Sequence, residues 1–300
     1  MMKDDNTRAA LFMLVGSSAF AVNDTFLKLL GAELSALQIL AMRGAIVTAL
    51  FGVLVWRSRV TFAQLNPRDR RLLLVRSAAE AMAAYFFFNA LFNMPLANVT
   101  AILQVVPLAV ALAAWMFLRE PLGWRRLSAI LVGFCGVLLI VRPGGADFGL
   151  PSVFALLTVV MVTIRDLSTR VMARNVPSSL VACTTALGVT VFGLVGAVTE
   201  TWVVPSPVAW GWLAGTVVFS FIGYYLIVLA MRTGELTFVA PFRYAGLLSA
   251  LMLGWLVLDE WPDSLTFVGG AVVVITGIYT LYRERRHKQR MAAASLTSGG

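Results

Sequence analysis

Apolar residues run through this chain in long unbroken stretches, with neither the alternation of a strand nor the narrow stripe of a soluble amphipathic helix. Ten stretches fall at about residues 8–30, 35–56, 72–93, 97–118, 126–141, 150–173, 179–200, 208–230, 237–258 and 265–282. A helix takes about 20 residues to cross a hydrocarbon core of about 30 Å, whereas a membrane barrel would show alternating apolar and polar positions. The pattern therefore predicts an all-α polytopic membrane protein with ten transmembrane helices. The first stretch continues through Asn23, Asp24 and Lys28, past any short signal-like region and without a convincing cleavage site, so it is expected to be a retained span.

The stretches also repeat. Ala90, Leu96, Trp115, Leu118 and Glu120 return 140 positions later as Ala230, Leu236, Trp255, Leu258 and Glu260. After a one-residue insertion, Pro121, Gly136 and Arg142 return as Pro262, Gly277 and Arg283. Earlier parts align more loosely, Asp24 and Lys28 with Asp166 and Arg170, Ser35 and Leu37 with Ser178 and Leu180. Two repeats are expected, residues 1–142 with five helices and 150–283 with five more, followed by a tail over 284–300 that is basic and then small and polar. A tail end of that composition has nothing to bury and is expected to be disordered. Five spans per copy is an odd number, so the copies must enter the membrane from opposite sides. Inverted repeats of this kind belong to alternating-access transporters.

Composition agrees with the pattern: 59% of residues are hydrophobic and 13% charged, far from a soluble globular domain. A net charge of +9 would point to nucleic acid in a soluble protein, but here the basic residues sort by side. With the amino terminus in the cytoplasm, 19 of the 24 Lys and Arg fall in cytoplasmic segments. Only Lys28 and Arg142 fall on the opposite side, and Arg43, Arg165 and Arg243 lie inside apolar spans. This bias predicts cytoplasmic termini in a bacterial-type inner membrane, with no nucleic-acid partner. Cys135 and Cys183 sit within helices as small apolar side chains, and the sole histidine, His287, lies in the basic tail. Neither a metal site nor a cofactor is expected from that set.

The fourth span ends in Leu118-Arg119-Glu120-Pro121, and the ninth in Leu258-Asp259-Glu260-Trp261-Pro262. Each is followed by a glycine-bearing span, with Gly133 and Gly136 in one and Gly269, Gly270 and Gly277 in the other. In these features the chain resembles the paired EamA domains of the drug/metabolite transporter superfamily, over roughly residues 8–284. Within that superfamily it looks most like bacterial exporters of aromatic and other amino acids. The resemblance implies a ten-helix basket around a central cavity, a small-molecule solute as partner besides the lipid bilayer, and no chemical conversion of that solute. A monomer or weak dimer is expected.

Ionisable side chains within apolar spans carry most of the functional information, because each costs at least about 2.5–3.5 kcal/mol near the bilayer centre. They are Asp24, Lys28, Arg43, Glu80, Arg165, Asp166 and Arg243. Lys28, Arg165, Asp166 and Arg170 stand close enough to span ends to snorkel, and Asp24 and Lys28 have the spacing of a pair on one helix face. Arg43 and Glu80 lie deeper. Two readings stand for them: an interhelical ion pair with Asp24 as a third member, or a coupling role in which Glu80 or Asp24 takes up and releases a proton.

The third span also carries an aromatic and amide patch in which Tyr85, Asn89 and Phe92 or Asn93 share a face by three-and-four spacing. Such a stripe is ordinarily packing. The repeat register adds weight to binding, because it sets Tyr85 opposite Tyr225, Ala84 opposite Tyr224, and Gln104 opposite Tyr244, beside Phe242 and Arg243. Tyr85, Asn89, Gln104, Tyr224, Tyr225, Phe242, Arg243 and Tyr244 are therefore the candidate cavity residues. Aromatic rings offer apolar faces and, to an ammonium, a negative π surface. Arg243 could hold a carboxylate through two parallel hydrogen bonds. Pro107 and Pro241 each remove a backbone donor and can bend their helices.

These features predict a secondary transporter that exports a small amphipathic metabolite, foremost amino acids including aromatic ones, by alternating access. Another metabolite such as S-adenosylmethionine is the alternative solute, and a structural membrane subunit is the non-transport alternative. No GxxxxGK phosphate loop is present to couple ATP. No buried histidine, clustered acidic pair or Cys-His arrangement equips the chain as an intramembrane enzyme.

Overall fold

The computed structural model describes residues 2–58, 62, 65–120, 122–144, 149–173, 176–233 and 236–297. Pro121 of the first Leu-Arg-Glu-Pro motif, and Arg59 and Arg174 of the basic set, lie outside the described residues. The helices are α1 (Met2–Leu30), α2 (Ala36–Ser58), α3 (Pro67–Asn93), α4 (Leu96–Leu103), α5 (Val106–Leu118), α6 (Trp124–Val141), α7 (Leu150–Val171), α8 (Ser178–Ala197), α9 (Pro207–Thr233), α10 (Leu236–Val239), α11 (Ala245–Leu258) and α12 (Ser264–Thr297). A 3₁₀ turn, Ala240–Tyr244, joins α10 to α11. Each predicted stretch is helical, and the fourth and ninth are interrupted.

Among the described residues, length and apolarity qualify seven segments as candidate membrane crossings: Asp5–Leu30, Ala36–Arg57, Leu96–Leu118, Leu150–Val171, Ser178–Ala197, Pro207–Thr233 and Pro241–Leu258. The other three predicted spans differ for identifiable reasons. α3 carries Arg76 and Glu80 within its apolar length. The apolar helices Leu127–Val141 and Ser264–Thr280 rise only about 22 to 26 Å at 1.5 Å per residue. α12 continues as helix through Thr297, where composition led us to expect a tail without structure. Ala292, Ala293, Ala294 and the Lys and Arg residues before them are strong helix formers, so local propensity favours the continued helix.

Apolar side chains cover the outside of the helices as well as the inside. Leu50, Val195, Leu248, Leu256 and Ile275 are all more than half exposed, as suits helices whose solvent is lipid. Association then rests on close backbone approach by small residues. The helices form two compact units, neither of which is a sequence half: a first unit of Met1–Val22, Thr100–Ala146 and Phe219–Gly300, and a second of Asn23–Val99 and Asp147–Val218.

In the second unit α2 packs along α8 and α3 along α7. A Cβ at Gly193 would stand 2.5 Å from the Ala41 amide nitrogen, and one at Gly44 2.6 Å from Thr190 Oγ1. Beside them the Thr48 and Thr190 hydroxyls hydrogen-bond at 3.0 Å. Asn66 caps α3 by accepting from the Asp69 amide at 2.7 Å, with Pro67 at the first helical position. Buried Asp69 in turn accepts from the Ala173 amide at 3.2 Å, which ties the start of α3 to the end of α7. At the other end of α3, Lys28 donates to the Met94 carbonyl. There too the Gln38 amide pairs twice with the Val203 backbone, at 2.5 and 3.2 Å. Glu33 accepts from both the amide and the hydroxyl of Ser206.

In the first unit α6 packs along α12, where Gly136 and Gly269 each lie against the other's carbonyl. Arg142, at the end of α6, pairs with Asp263, just before α12. The two glutamate motifs perform the same backbone task. Arg119 (φ 56) and Asp259 (φ 54) take the left-handed conformation that ends α5 and α11. The amides of Glu120 and Glu260 then return to the Ala114 and Gly254 carbonyls at 3.3 and 2.8 Å. Non-glycine residues rarely adopt this conformation, so a matched pair of exceptions writes the repeat into the backbone as well as the sequence.

Candidate functional site

The fourth and ninth predicted spans are interrupted at corresponding places. α4 ends at Leu103 and α5 begins at Val106, with Gln104 and Val105 in a turn; the matching break is the 3₁₀ turn ending at Tyr244. Proline explains both. Pro107 has no N–H for the Leu103 carbonyl and its ring crowds that oxygen, and Pro241 does the same within its turn. The chain responds by tightening: Val105 bonds back to the Ile102 carbonyl at 3.1 Å, and Ala245 bonds back to Phe242 and Arg243.

Six candidate cavity residues belong to this first unit. Arg243 is exposed on the 3₁₀ turn. Phe242 turns the other way, against a core of Ala9, Met13, Ala230 and Val239, with the Phe238 ring 5.9 Å distant. Tyr244 is buried; its hydroxyl meets Gly277 of α12 and has no hydrogen-bond partner. Gln104 is half-buried in the α4–α5 turn. Tyr224 and Tyr225 are each 60% exposed, and the Tyr224 ring stands edge-on to Phe20 at 5.0 Å. Thus one short turn presents a cation outward while anchoring itself through aromatic neighbours on both sides.

Tyr85 and Asn89 belong to the second unit. The Tyr85 ring lies among Phe192 (5.7 Å), Phe86 (5.8 Å) and Phe154 (6.5 Å), an aromatic cluster drawn from α3, α7 and α8. Asn89 donates to the Tyr85 carbonyl of its own helix at 2.8 Å. Both side chains are half-buried.

The charged residues of this unit pair differently from the sequence expectation. Glu80 does not pair with Arg43; it meets Arg165 of α7 at 2.9 Å, and Arg165 also binds Asp166 at 2.8 Å. Arg165 and Asp166 are therefore partners in a three-member cluster rather than simple snorkelling residues. Arg43 reaches the Asn23 side-chain oxygen at 3.3 Å, and the Asn23 amide nitrogen donates to Asp24 at 2.8 Å. Lys28 is turned to the Met94 carbonyl instead of to Asp24. Sequence reasoning missed Asn23 and the role of Arg165. The repeat held the signal, since the register that aligns Asp24 with Asp166 also aligns Asn23 with Arg165.

Comparison with known proteins places this architecture. The EamA-like transporter family matches residues 7–142 and again 150–283. The pseudopaline exporter CntI of Pseudomonas aeruginosa is 29% identical over 93% of this chain and 97% of its own length. The riboflavin transporter of Vibrio cholerae is 26% identical over 66% of this chain and 67% of its own. The S-adenosylmethionine uptake transporter of Rickettsia conorii is 23% identical over 93% of each. A solved crystal structure matches with a TM-score of 0.62 at 19% identity, covering 95% of this chain and 100% of that one, a likeness that carries the fold alone. With a twice-matched family, several membrane-length helices and paired helix interruptions, this chain belongs to the EamA-like transporter family.

Proposed function

We propose that the protein is a secondary transporter that exports small amphipathic metabolites, amino acids including aromatic ones, by alternating access of two inverted five-helix repeats with both termini in the cytoplasm of a bacterial-type inner membrane. The observation that carries this reading is the pair of helix interruptions at Gln104 and at Ala240–Tyr244. Hydrophobic segments broken at corresponding positions of two repeats are where transporters place their solute. Arg243, exposed on one of those breaks, supplies a planar donor fork suited to a carboxylate. The register gives it no basic counterpart, since Leu103 stands there in the first half. The exposed rings of Tyr224 and Tyr225 suit an apolar or aromatic body.

Loop contacts favour ten crossings. In a ten-span chain with an internal amino terminus, Lys28 and Met94 fall on the same outer side, as do Glu33 with Ser206 and Arg142 with Asp263. Asp69 and Ala173 both fall on the inner side. Export rather than uptake draws support from the full-length likeness to the pseudopaline exporter. The equally long likeness to the S-adenosylmethionine uptake transporter supports a second reading, in which the solute is that metabolite or a similar one.

A panel of radiolabelled solutes on purified protein in liposomes separates the readings. Phenylalanine, tyrosine and tryptophan are expected to move, with S-adenosylmethionine as the competing case. Movement of S-adenosylmethionine alone would replace the first reading with the second, and flux of none of the four would overturn both.

A further inference from the structure

The second unit holds two polar clusters at opposite ends. α1 ends beside the end of α3, through Lys28 and Met94, while α7 ends beside the start of α3, through Ala173 and Asp69. Asp24 lies about 9 Å short of the end of α1 and Asp166 about 8 Å short of the end of α7, at 1.5 Å per residue. The two aspartates are repeat equivalents, and the residue before each decides its surroundings. At 165 that residue is arginine, which binds Asp166 and Glu80 together. At 23 it is asparagine, which gives its nitrogen to Asp24 and its oxygen to Arg43.

Arginine and asparagine differ in one respect that matters here. A guanidinium has five donors and no acceptor, so it favours the ionised form of a carboxyl beside it and cannot accept the O–H of the protonated one. A carboxamide has both donor and acceptor and can serve either protonation state. With Asp24 ionised, the Asn23 nitrogen donates to it, as observed. With Asp24 protonated, the same amide can turn over and accept the new O–H, releasing Arg43 from its oxygen. Glu80 and Asp166 have no such neutral partner in the clamp that Arg165 forms.

Building on the transport reading above, we infer that Asp24, linked to Arg43 through Asn23, is the proton-binding site that couples transport, and that Glu80 is not. On loading, an O–H bond forms on one Asp24 oxygen with a proton taken from water at the outer end of the protein. On release that bond breaks and the proton passes to water on the cytoplasmic side while solute moves outward; nothing is oxidised or reduced. Among the described residues, Arg43 is the charged group linked to Asp24, through Asn23. Lys28 on its own helix is held by Met94, and Arg43 on α2 is held by Asn23. Residues 207–218 of α9 carry none, and α8 carries only Cys183. α3 contributes Tyr85, set among phenylalanines, and Glu80, set with Arg165.

Infrared spectra of purified protein in nanodiscs, recorded as pH is stepped above the range in which exposed carboxyl groups titrate, read buried protonated carboxyl groups without requiring a known solute. A titrating carboxyl band is expected in the wild type, in Glu80→Gln and in Asp166→Asn, and is expected to vanish in Asp24→Asn. Asn23→Arg, which keeps the aspartate but gives it the partner that Asp166 has, is expected to silence the same band. In liposomes, Asp24→Asn is expected to lose at least tenfold of any pH-gradient stimulation of phenylalanine flux while retaining exchange. Persistence of the band in Asp24→Asn, its absence from the wild type, or gradient-driven flux in Asp24→Asn overturns the proposal. A wild type that shows the band yet moves none of the solutes sinks the transport reading and leaves the proton site standing.

Discussion

Replacing Gly277 with alanine should loosen the turn that presents Arg243, and the size of the effect follows from one contact. Tyr244 is 7% exposed, and its hydroxyl occupies the space where a side chain at 277 would begin. The new methyl would also lie 2.7 Å from Tyr244 Cζ, so the ring must shift as a whole. α12 has little room to retreat, because Gly269 is in backbone contact with α6 at Gly136. Overpacking of this kind costs about 1–3 kcal/mol. Tyr244→Phe removes a hydroxyl that has no hydrogen-bond partner, so its own effect should lie within about 1 kcal/mol of zero, on the stabilising side. In the double mutant the oxygen overlap is gone and the Cζ contact remains, so the two changes should couple by about 1 kcal/mol. Thermal unfolding of the four detergent-solubilised proteins closes the cycle. Additive effects, or a Tyr244→Phe loss above about 1 kcal/mol, would refute the contact and mean that the hydroxyl has a partner.

Gly193→Val places a branched side chain against the Ala41 backbone, which cannot yield as a flexible side chain would; a loss of about 2–3 kcal/mol in stability is expected, and unfolding at the wild-type temperature would refute the α2–α8 contact. A cysteine at Gly123 should resist an impermeant thiol reagent in intact cells while one at Thr201 reacts, and equal labelling would overturn the ten-span topology. Arg243→Lys keeps the charge but loses the planar fork, so folded protein with impaired transport is expected. Arg243→Leu should reduce flux of carboxylate-bearing solutes more than that of uncharged analogues, and equal loss with less folded protein would make Arg243 structural. Tyr85→Ala should weaken transport of aromatic solutes more than it lowers folded protein, and parallel losses would assign that ring to packing with Phe86, Phe154 and Phe192.

Helix positions were legible in the sequence because a bilayer requires every backbone group to be satisfied within its own segment, which makes each span a local property of composition. The repeat was legible for the same reason, since matched residues such as Arg119 and Asp259 end their helices by local backbone geometry. Even the interruptions at Gln104 and Tyr244 had a local sign in Pro107 and Pro241.

Which face of each helix turns inward was not legible. When lipid surrounds the bundle, outer and inner faces are equally apolar, so periodicity does not identify the buried stripe. Only tertiary structure gave Glu80 to Arg165 instead of Arg43, and set Asn23 between Arg43 and Asp24. Only tertiary structure, too, drew each compact unit from both sequence halves. Sequence set the helices and their order, because those depend on each segment alone; partners depend on helix rotation and close approach, which glycines such as Gly193 and Gly277 permit but do not announce.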